Sequence, residues 1–170
     1  MNEKGTVYFF TGLSGAGKTT IGGLFYQKLK AVKPNVFWFD GDQMRPVLFE
    51  NVGYTMEERL KASRRGFRMC KALADQGIDV VCSAVAMHSE CRDWNRANMA
   101  HYKEIYLKVQ KQTLLNRDQK QMYSSGQKNL MGIDLPFDEP KHPDVIIEND
   151  GTQSPEEIVE RLVKVFDLNL

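Results

Sequence analysis

A chain of 170 residues, 42% of them hydrophobic, is long enough to bury a real core and fits a single domain, 1–170. Its formal charge of +1 excludes a broad electrostatic grip on nucleic acid, so its basic residues act locally. No apolar run reaches bilayer-spanning length, no export signal opens the chain, and Cys70, Cys82 and Cys91 show no metal or redox spacing; this pattern points to the cytoplasm, reduced thiols and no membrane partner.

The first predicted strand is Val7-Tyr8-Phe9-Phe10. It runs into Gly12-Leu13-Ser14-Gly15-Ala16-Gly17-Lys18-Thr19, which fits G-x-x-x-x-G-K-S/T. A helix over Ile21–Lys30 follows, with Ile21, Leu24, Phe25, Lys28 and Leu29 at helical spacing. Strand, glycine loop and helix in that order make a phosphate site, whereas a chance glycine-rich turn would lack these flanks. Glycines let backbone N–H groups curl round an anion, and the helix start adds its positive dipole end. Lys18 supplies a mobile charge and the Thr19 hydroxyl a ligand for Mg²⁺.

The second predicted strand, Val36–Asp40, ends in Asp40-Gly41-Asp42. Two readings stand for this pair. Carboxylates at the carboxyl end of a parallel strand, beside a phosphate loop, suit metal and proton work; alternatively one of them caps the next helix or shapes the turn at Gly41. Met44-Arg45-Pro46 then leads into a loop through Gly53-Tyr54-Thr55. A helix of roughly twenty residues starts at about Met56, with Thr55 and Glu58 at capping-box spacing. Leu60, Phe67, Cys70, Leu73 and Ala74 form its apolar stripe. Arg45, just after the Asp pair, and Arg59, in the helix's first turn, either hold an anionic second substrate or are simply solvated.

Ile78–Ala86 reads as a third strand, nearly all apolar as buried parallel strands are, with Cys82 a buried and inert thiol. A polar helix from about Ser89 to His101, a strand over Tyr102–Val109 and a helix over Lys111–Tyr123 follow. From Ser124 to Pro143 the pattern dissolves around Gly126, Gly132, Pro136, Pro140 and Pro143, as expected of a lid, which we bound at about 118–143. Asp144–Glu148 is the last strand. Ser154 caps a final helix with Pro155 at its first position and the stripe Ile158, Leu162, Val165 and Phe166. His88, His101 and His142 are too scattered for a metal cluster. The alternation predicts a three-layer α/β fold: a five-stranded parallel sheet with helices on both faces and a lid.

Without an Asn-Lys-x-Asp motif for guanine, the Asp-Gly-Asp turn and the lid favour a small-molecule kinase. Over nearly its whole length the chain resembles the adenylyl-sulfate kinase (APS kinase) family. The resemblance is carried by Gly12 to Thr19 with Thr20, by Asp40-Gly41-Asp42-Gln43-Met44-Arg45, and by Gly53-Tyr54-Thr55 with Arg59, Arg64 and Arg65. Arg117-Asp118-Gln119-Lys120 with Tyr123 and Gly132-Ile133-Asp134-Leu135-Pro136-Phe137-Asp138-Glu139-Pro140 complete it, the last matching the family's lid.

The resemblance implies ATP and Mg²⁺, a small nucleotide acceptor phosphorylated at its ribose 3′-hydroxyl, a P-loop kinase fold and a homodimer. Asp42 matches the carboxylate that takes the hydroxyl proton, Asp40 one near the metal and acceptor, and Thr19 the hydroxyl on the metal. Lys18 and Lys120 match lysines at the reacting phosphates. Gly12, Ser14, Gly15, Ala16, Gly17, Thr19 and Thr20 match the phosphate loop, and Arg117 a residue near the ATP base. Arg45, Tyr54, Arg59, Ala86, Leu130 and Ile133 match acceptor positions.

Departures fall on the acceptor side. Leu130 stands where the family has a second aromatic to sandwich adenine, and Ala62 replaces an asparagine. Ser83-Ala84-Val85-Ala86-Met87-His88 has lost a phenylalanine, a serine, a proline and the last aromatic of Ser-Phe-Ile-Ser-Pro-Phe/Tyr. The stretch between Tyr123 and Leu130 is also shorter than usual. Losing a base stack worth ~1–3 kcal/mol weakens adenine binding about tenfold or more. A smaller base tolerates Leu130, and relatives similar to APS kinase phosphorylate cytidine diphosphoramidate in capsule-sugar modification. The expectation is therefore a cytidine diphosphoramidate kinase. Adenylyl sulfate ranks close behind as acceptor; an inactive nucleotide-binding module and a kinase for a non-nucleotide hydroxyl, as in gluconate or shikimate kinases, are the further alternatives.

Overall fold

Side-chain alternation decides how the first strand, β1 (Thr6–Thr11), is used: Val7 and Phe9 point to one face of a sheet, Tyr8 and Phe10 to the other, and all are buried. The structure, a computed structural model, describes residues 3–86, 88–117, 121, 124, 125, 128 and 130–169. β1 lies at the middle of a parallel five-stranded sheet in the order β2-β3-β1-β4-β5, with β2 (Val36–Asp40), β3 (Asp79–Ser83), β4 (His101–Lys108) and β5 (Val145–Glu148).

Helices cover both faces. Against Tyr8, Phe10, Ile105 and Ile147 pack Ile21, Phe25 and Leu29 of α1 (Lys18–Val32) and Ile158, Val159, Leu162 and Val163 of α6 (Pro155–Val165). Against Val7, Phe9, Val80 and Cys82 pack Phe67, Cys70 and Ala74 of α3 (Met56–Ala74), and Cys91 of α4 (Ser89–Asn98). The three-layer α/β architecture expected from the sequence is the one observed. α5 (Lys111–Arg117) follows β4. Among the described residues no helix is long and apolar enough to cross a membrane.

Four local expectations need correction. Met44–Leu48 are not loop but part of a short helix, α2 (Gly41–Leu48), whose start the Asp40 carboxylate caps and which contains Pro46. β3 ends at Ser83 rather than Ala86: the chain leaves the sheet, and Ala86 adopts a positive φ of 29°. α4 stops at Asn98, so that His101 already belongs to β4. On α6 the buried stripe runs through Val159 and Val163, while Val165 is exposed. Lys120 and Tyr123 lie outside the described residues, as do other positions of the lid bounded at 118–143.

Candidate active site

The loop between β1 and α1 is shaped by left-handed glycines, Gly15 at φ 81° and Gly17 at φ 94°. Gly17 occupies the cap position of α1, and no side chain caps that helix, so its first N–H groups are not taken by a cap. Ala16 is fully buried beneath the loop, and its carbonyl accepts a hydrogen bond from Asn149 Nδ2 at 2.9 Å. Arg117 Nη2 in turn donates to the Asn149 carbonyl at 3.0 Å. Arg117 thus supports the loop through Asn149, a link from the end of β5 that no sequence pattern announces. Gly12 packs where an added Cβ would sit 2.5 Å from the Leu107 carbonyl oxygen. Lys18 Nζ donates to the Leu13 carbonyl at 2.8 Å.

Beside the loop opens a cavity of about 510 Å³. Ser14, Gly15, Gly17, Lys18, Thr19 and Thr20 form one side, and Asp40, Asp42, Arg45, Tyr54 and Arg59 another. The turn after β3, with Ser83, Ala84, Val85, Ala86 and His88, makes a third side, and Met131 reaches in from the lid. Lys18 and Asp42 therefore line one shared cavity, although 24 positions separate them in the chain.

The Asp pair answers both of its readings at once. Asp40, only 2% exposed, accepts the backbone N–H groups of Asp42 (3.0 Å) and Gln43 (3.2 Å) on Oδ1, which makes it the cap of α2. Its Oδ2 accepts the Thr19 hydroxyl at 2.8 Å. A hydroxyl and a carboxylate in contact beside a phosphate loop are hard oxygen donors of the type Mg²⁺ prefers. Among the described residues no group of three acidic, histidine or cysteine side chains could cage an ion. That fits Mg²⁺, which takes one or two carboxylates and fills its remaining positions with phosphate and water. Asp42 sits in the first turn of α2, at the positive end of the helix dipole.

At the far end the two arginines close on Tyr54. The Arg45 guanidinium lies 3.8 Å from the ring centroid and that of Arg59 5.2 Å. Arg45 Nη2 also donates to the carbonyls of Val52 and, at 2.6 Å, Gly53; Arg59 Nε donates to the Tyr54 carbonyl at 3.0 Å. Partial burial, followed by the charge of Arg45, lowers the pKa of Arg59 from its ordinary value. Two crowded guanidiniums around an exposed ring can accept an anionic group and a flat base together.

Not every expected residue joins this cavity. Leu130 is 4% exposed and outside its wall; its carbonyl anchors the tight turn by accepting from Asp134 and Leu135. Ile133 borders a separate cavity of about 230 Å³ with Leu13, Lys111 and Phe137. Gly12 and Ala16 shape the phosphate loop from beneath and do not line the main cavity.

The family model for adenylylsulphate kinase matches residues 4–148. The chain belongs to the adenylyl-sulfate kinase family. It is 34% identical over 172 aligned positions to a cytidine diphosphoramidate kinase of Campylobacter jejuni, with 99% of this chain and 100% of that one covered. It is 33% identical to an adenylyl-sulfate kinase of Oceanobacillus iheyensis, covering 95% and 84% of the two chains. Among solved structures, the Mycobacterium tuberculosis APS kinase CysC in complex with AMPPNP and APS superposes with a TM-score of 0.89 at 28% identity, covering 98% and 99%. The protein is thus an APS-kinase-family phosphotransferase. Against that family, the wall residues that sequence reasoning did not select as binding residues include Ser63, Val85, His88 and Met131. Only their places beside recognised segments hinted at them; a lone histidine or methionine carries no signal of its own.

Proposed function

We propose that the protein transfers the γ-phosphoryl group of Mg²⁺·ATP to the ribose 3′-hydroxyl of cytidine diphosphoramidate. The observation that carries the acceptor assignment is the makeup of the far wall. Tyr54 is its one exposed ring among the described residues; Phe39, Phe49 and Phe67 border the cavity but are buried in the core. Ala62, Ala84 and Ala86 are among the small residues that line the cavity nearby, and Leu130 is buried outside its wall. A wall with one ring and several small side chains suits a smaller base held on one face.

In this reading Asp42 accepts the 3′-hydroxyl proton as the ribose oxygen attacks the γ-phosphorus, and the bond to the bridging oxygen of ADP breaks in line. Lys18 and the backbone of residues 12–20 hold the phosphates, and Thr19 and Asp40 would hold Mg²⁺, whose charge would offset that of the migrating group. Arg45 and Arg59 take the acceptor's 5′-diphosphoramidate and Tyr54 its base. By the family resemblance, Lys120 is assigned to the reacting phosphates and Arg117 to the ATP base.

Purified protein with Mg²⁺·ATP and a panel of cytidine diphosphoramidate, adenylyl sulfate and plain nucleoside diphosphates, read by the mass shift of the acceptor, tests the assignment. Cytidine diphosphoramidate is expected to gain one phosphate; adenylyl sulfate turning over far faster than every cytidine compound would overturn the choice. Asp42→Asn should lower turnover by about 10²–10⁴-fold while ATP still binds, and unchanged turnover would remove Asp42 as the base. The second reading, an adenylyl-sulfate kinase, is favoured by the near-equal identity to the Oceanobacillus enzyme and by retention of Tyr54 beside Arg45 and Arg59.

A further inference from the structure

Asn149, the first residue after β5, takes no part in the phosphoryl-transfer scheme above, yet three hydrogen bonds fix it beneath the phosphate loop. Its backbone N–H donates to the Lys108 carbonyl at 2.9 Å, and its own carbonyl accepts from Arg117 Nη2 at 3.0 Å. The root of the side chain is thereby tied to β4 and to α5. The amide nitrogen, Nδ2, donates to the Ala16 carbonyl at 2.9 Å. A carbonyl can only accept, so the amide must turn its nitrogen to it. A Cβ added to Gly17 would meet the same nitrogen at 2.8 Å, which places the amide close against the loop where a side chain is missing.

This bond fixes the direction of one peptide. The unit joining Ala16 to Gly17 is trans, so its C=O and its N–H point to opposite sides. With the carbonyl turned to Asn149, the Gly17 N–H is directed the other way. Ala16 is fully buried and does not line the main cavity, whereas Gly17 does. The backbone by itself resists a turn of this peptide only weakly. Turning it over reverses the sign of φ at the residue that follows, and glycine takes either sign at little cost; Gly17 stands at φ 94°. The turned peptide would offer an anion in the loop a carbonyl oxygen in place of an N–H.

We infer that Asn149 is a positioning residue of the donor site, its amide locking the Ala16–Gly17 peptide so that the phosphate loop presents an N–H to the phosphates of ATP. The inference rests on the reading that this loop holds ATP. Asn149 acts through the loop and needs no contact with the nucleotide. Arg117 steadies the lock from behind. A residue assigned by resemblance to the ATP base is thus joined, through two hydrogen bonds, to the phosphate end of the same site.

Asn149→Leu keeps much of the side chain's volume and removes the donor. By calorimetry it should weaken binding of Mg²⁺·ATP about tenfold, and binding of Mg²⁺·tripolyphosphate, which has no base, by a similar factor. In turnover assays KM for ATP should rise while KM for the acceptor stays unchanged. Asn149→Gln, which keeps a donor amide, should recover part of the loss. Asn149→Ala carries the same measurements should Asn149→Leu fail to fold, as checked by thermal melting. Unchanged affinity for both ligands overturns the inference. So does a loss confined to ATP, which would place Asn149 at the base, or an equal rise in both KM values, which would mark a general loss of structure. Wild-type protein that binds neither ligand would overturn the ATP reading of the loop, and the inference with it.

Discussion

Asp40 divides its two oxygens between two elements, one on the backbone of α2 and one on the Thr19 hydroxyl of α1. The choice between cap and metal residue, open from sequence, was therefore no choice: one side chain does the first and is placed for the second. Gly12 shows the opposite economy, where the lack of a side chain is the function. Its φ of 151° and the closeness of the Leu107 carbonyl leave no space for a methyl group. Gly12→Ala should strain the seam between β1 and β4 and move the phosphate loop. The expected result is a loss of about 1–3 kcal/mol in urea unfolding, together with at least tenfold weaker ATP binding by calorimetry. The loop's residues were legible because a motif of eight positions has one physical use. Met131 was not, because which residues border a cavity depends on tertiary packing that no spacing encodes.

At the scale of elements, the segment leading out of the lid is fastened by buried charge. Glu104 on β4, 2% exposed, meets Arg92 Nε at 3.6 Å and Arg96 Nη2 at 3.3 Å. Arg92 Nη2 donates to the carbonyls of Asp138 (2.8 Å) and Glu139 (3.2 Å), and Arg96 reaches the His142 carbonyl and Asp144. Burial raises the pKa of Glu104, and the two arginines pull it back. Removing the carboxylate leaves Arg92 buried without its counter-charge, so Glu104→Ala should cost about 3–5 kcal/mol in chemical denaturation. Glu104→Gln, which keeps a hydrogen-bonding group there, should cost less. None of this network was legible, since its members lie on α4, β4 and the lid's exit. The extent of α2 was hidden for a different reason: the cap reading of the Asp pair allowed a helix there, but Pro46 and Gly41 both advertise a turn. The α6 stripe was right in kind but shifted, Val159 and Val163 being buried where Val165 was expected.

For the whole molecule, the layered sheet was the most legible feature, because apolar runs ended by glycine, asparagine and aspartate repeat along the chain, with helical spacing between them. Stability against pH is also a property of the whole. His88 titrates below the ordinary histidine value of 6.5, chiefly through burial, with Arg92 and Arg59 adding to the effect and Asp138 and Glu90 opposing it. The unfolded chain then binds its proton at a higher pH than the folded one. Folding free energy should accordingly fall as pH drops below 6.5 towards the lower folded value. His88→Phe should flatten that slope in urea titrations at pH 7.5 and 5.5, roughly one unit either side of the ordinary value; an identical slope in both proteins would show that other groups govern it.

The strand made first is the strand that ends up in the middle. β1 takes β3 on one flank and β4 on the other, so its bonding edges wait until synthesis has passed Lys108. Until then a nascent chain carries Val7-Tyr8-Phe9-Phe10 with no permanent neighbour, an adhesive ribbon that chaperones must shelter on the ribosome. Fragments cut before β3 should clump, and the tendency should lessen as β3 and β4 are added and disappear only once β5 and α6 close the other face.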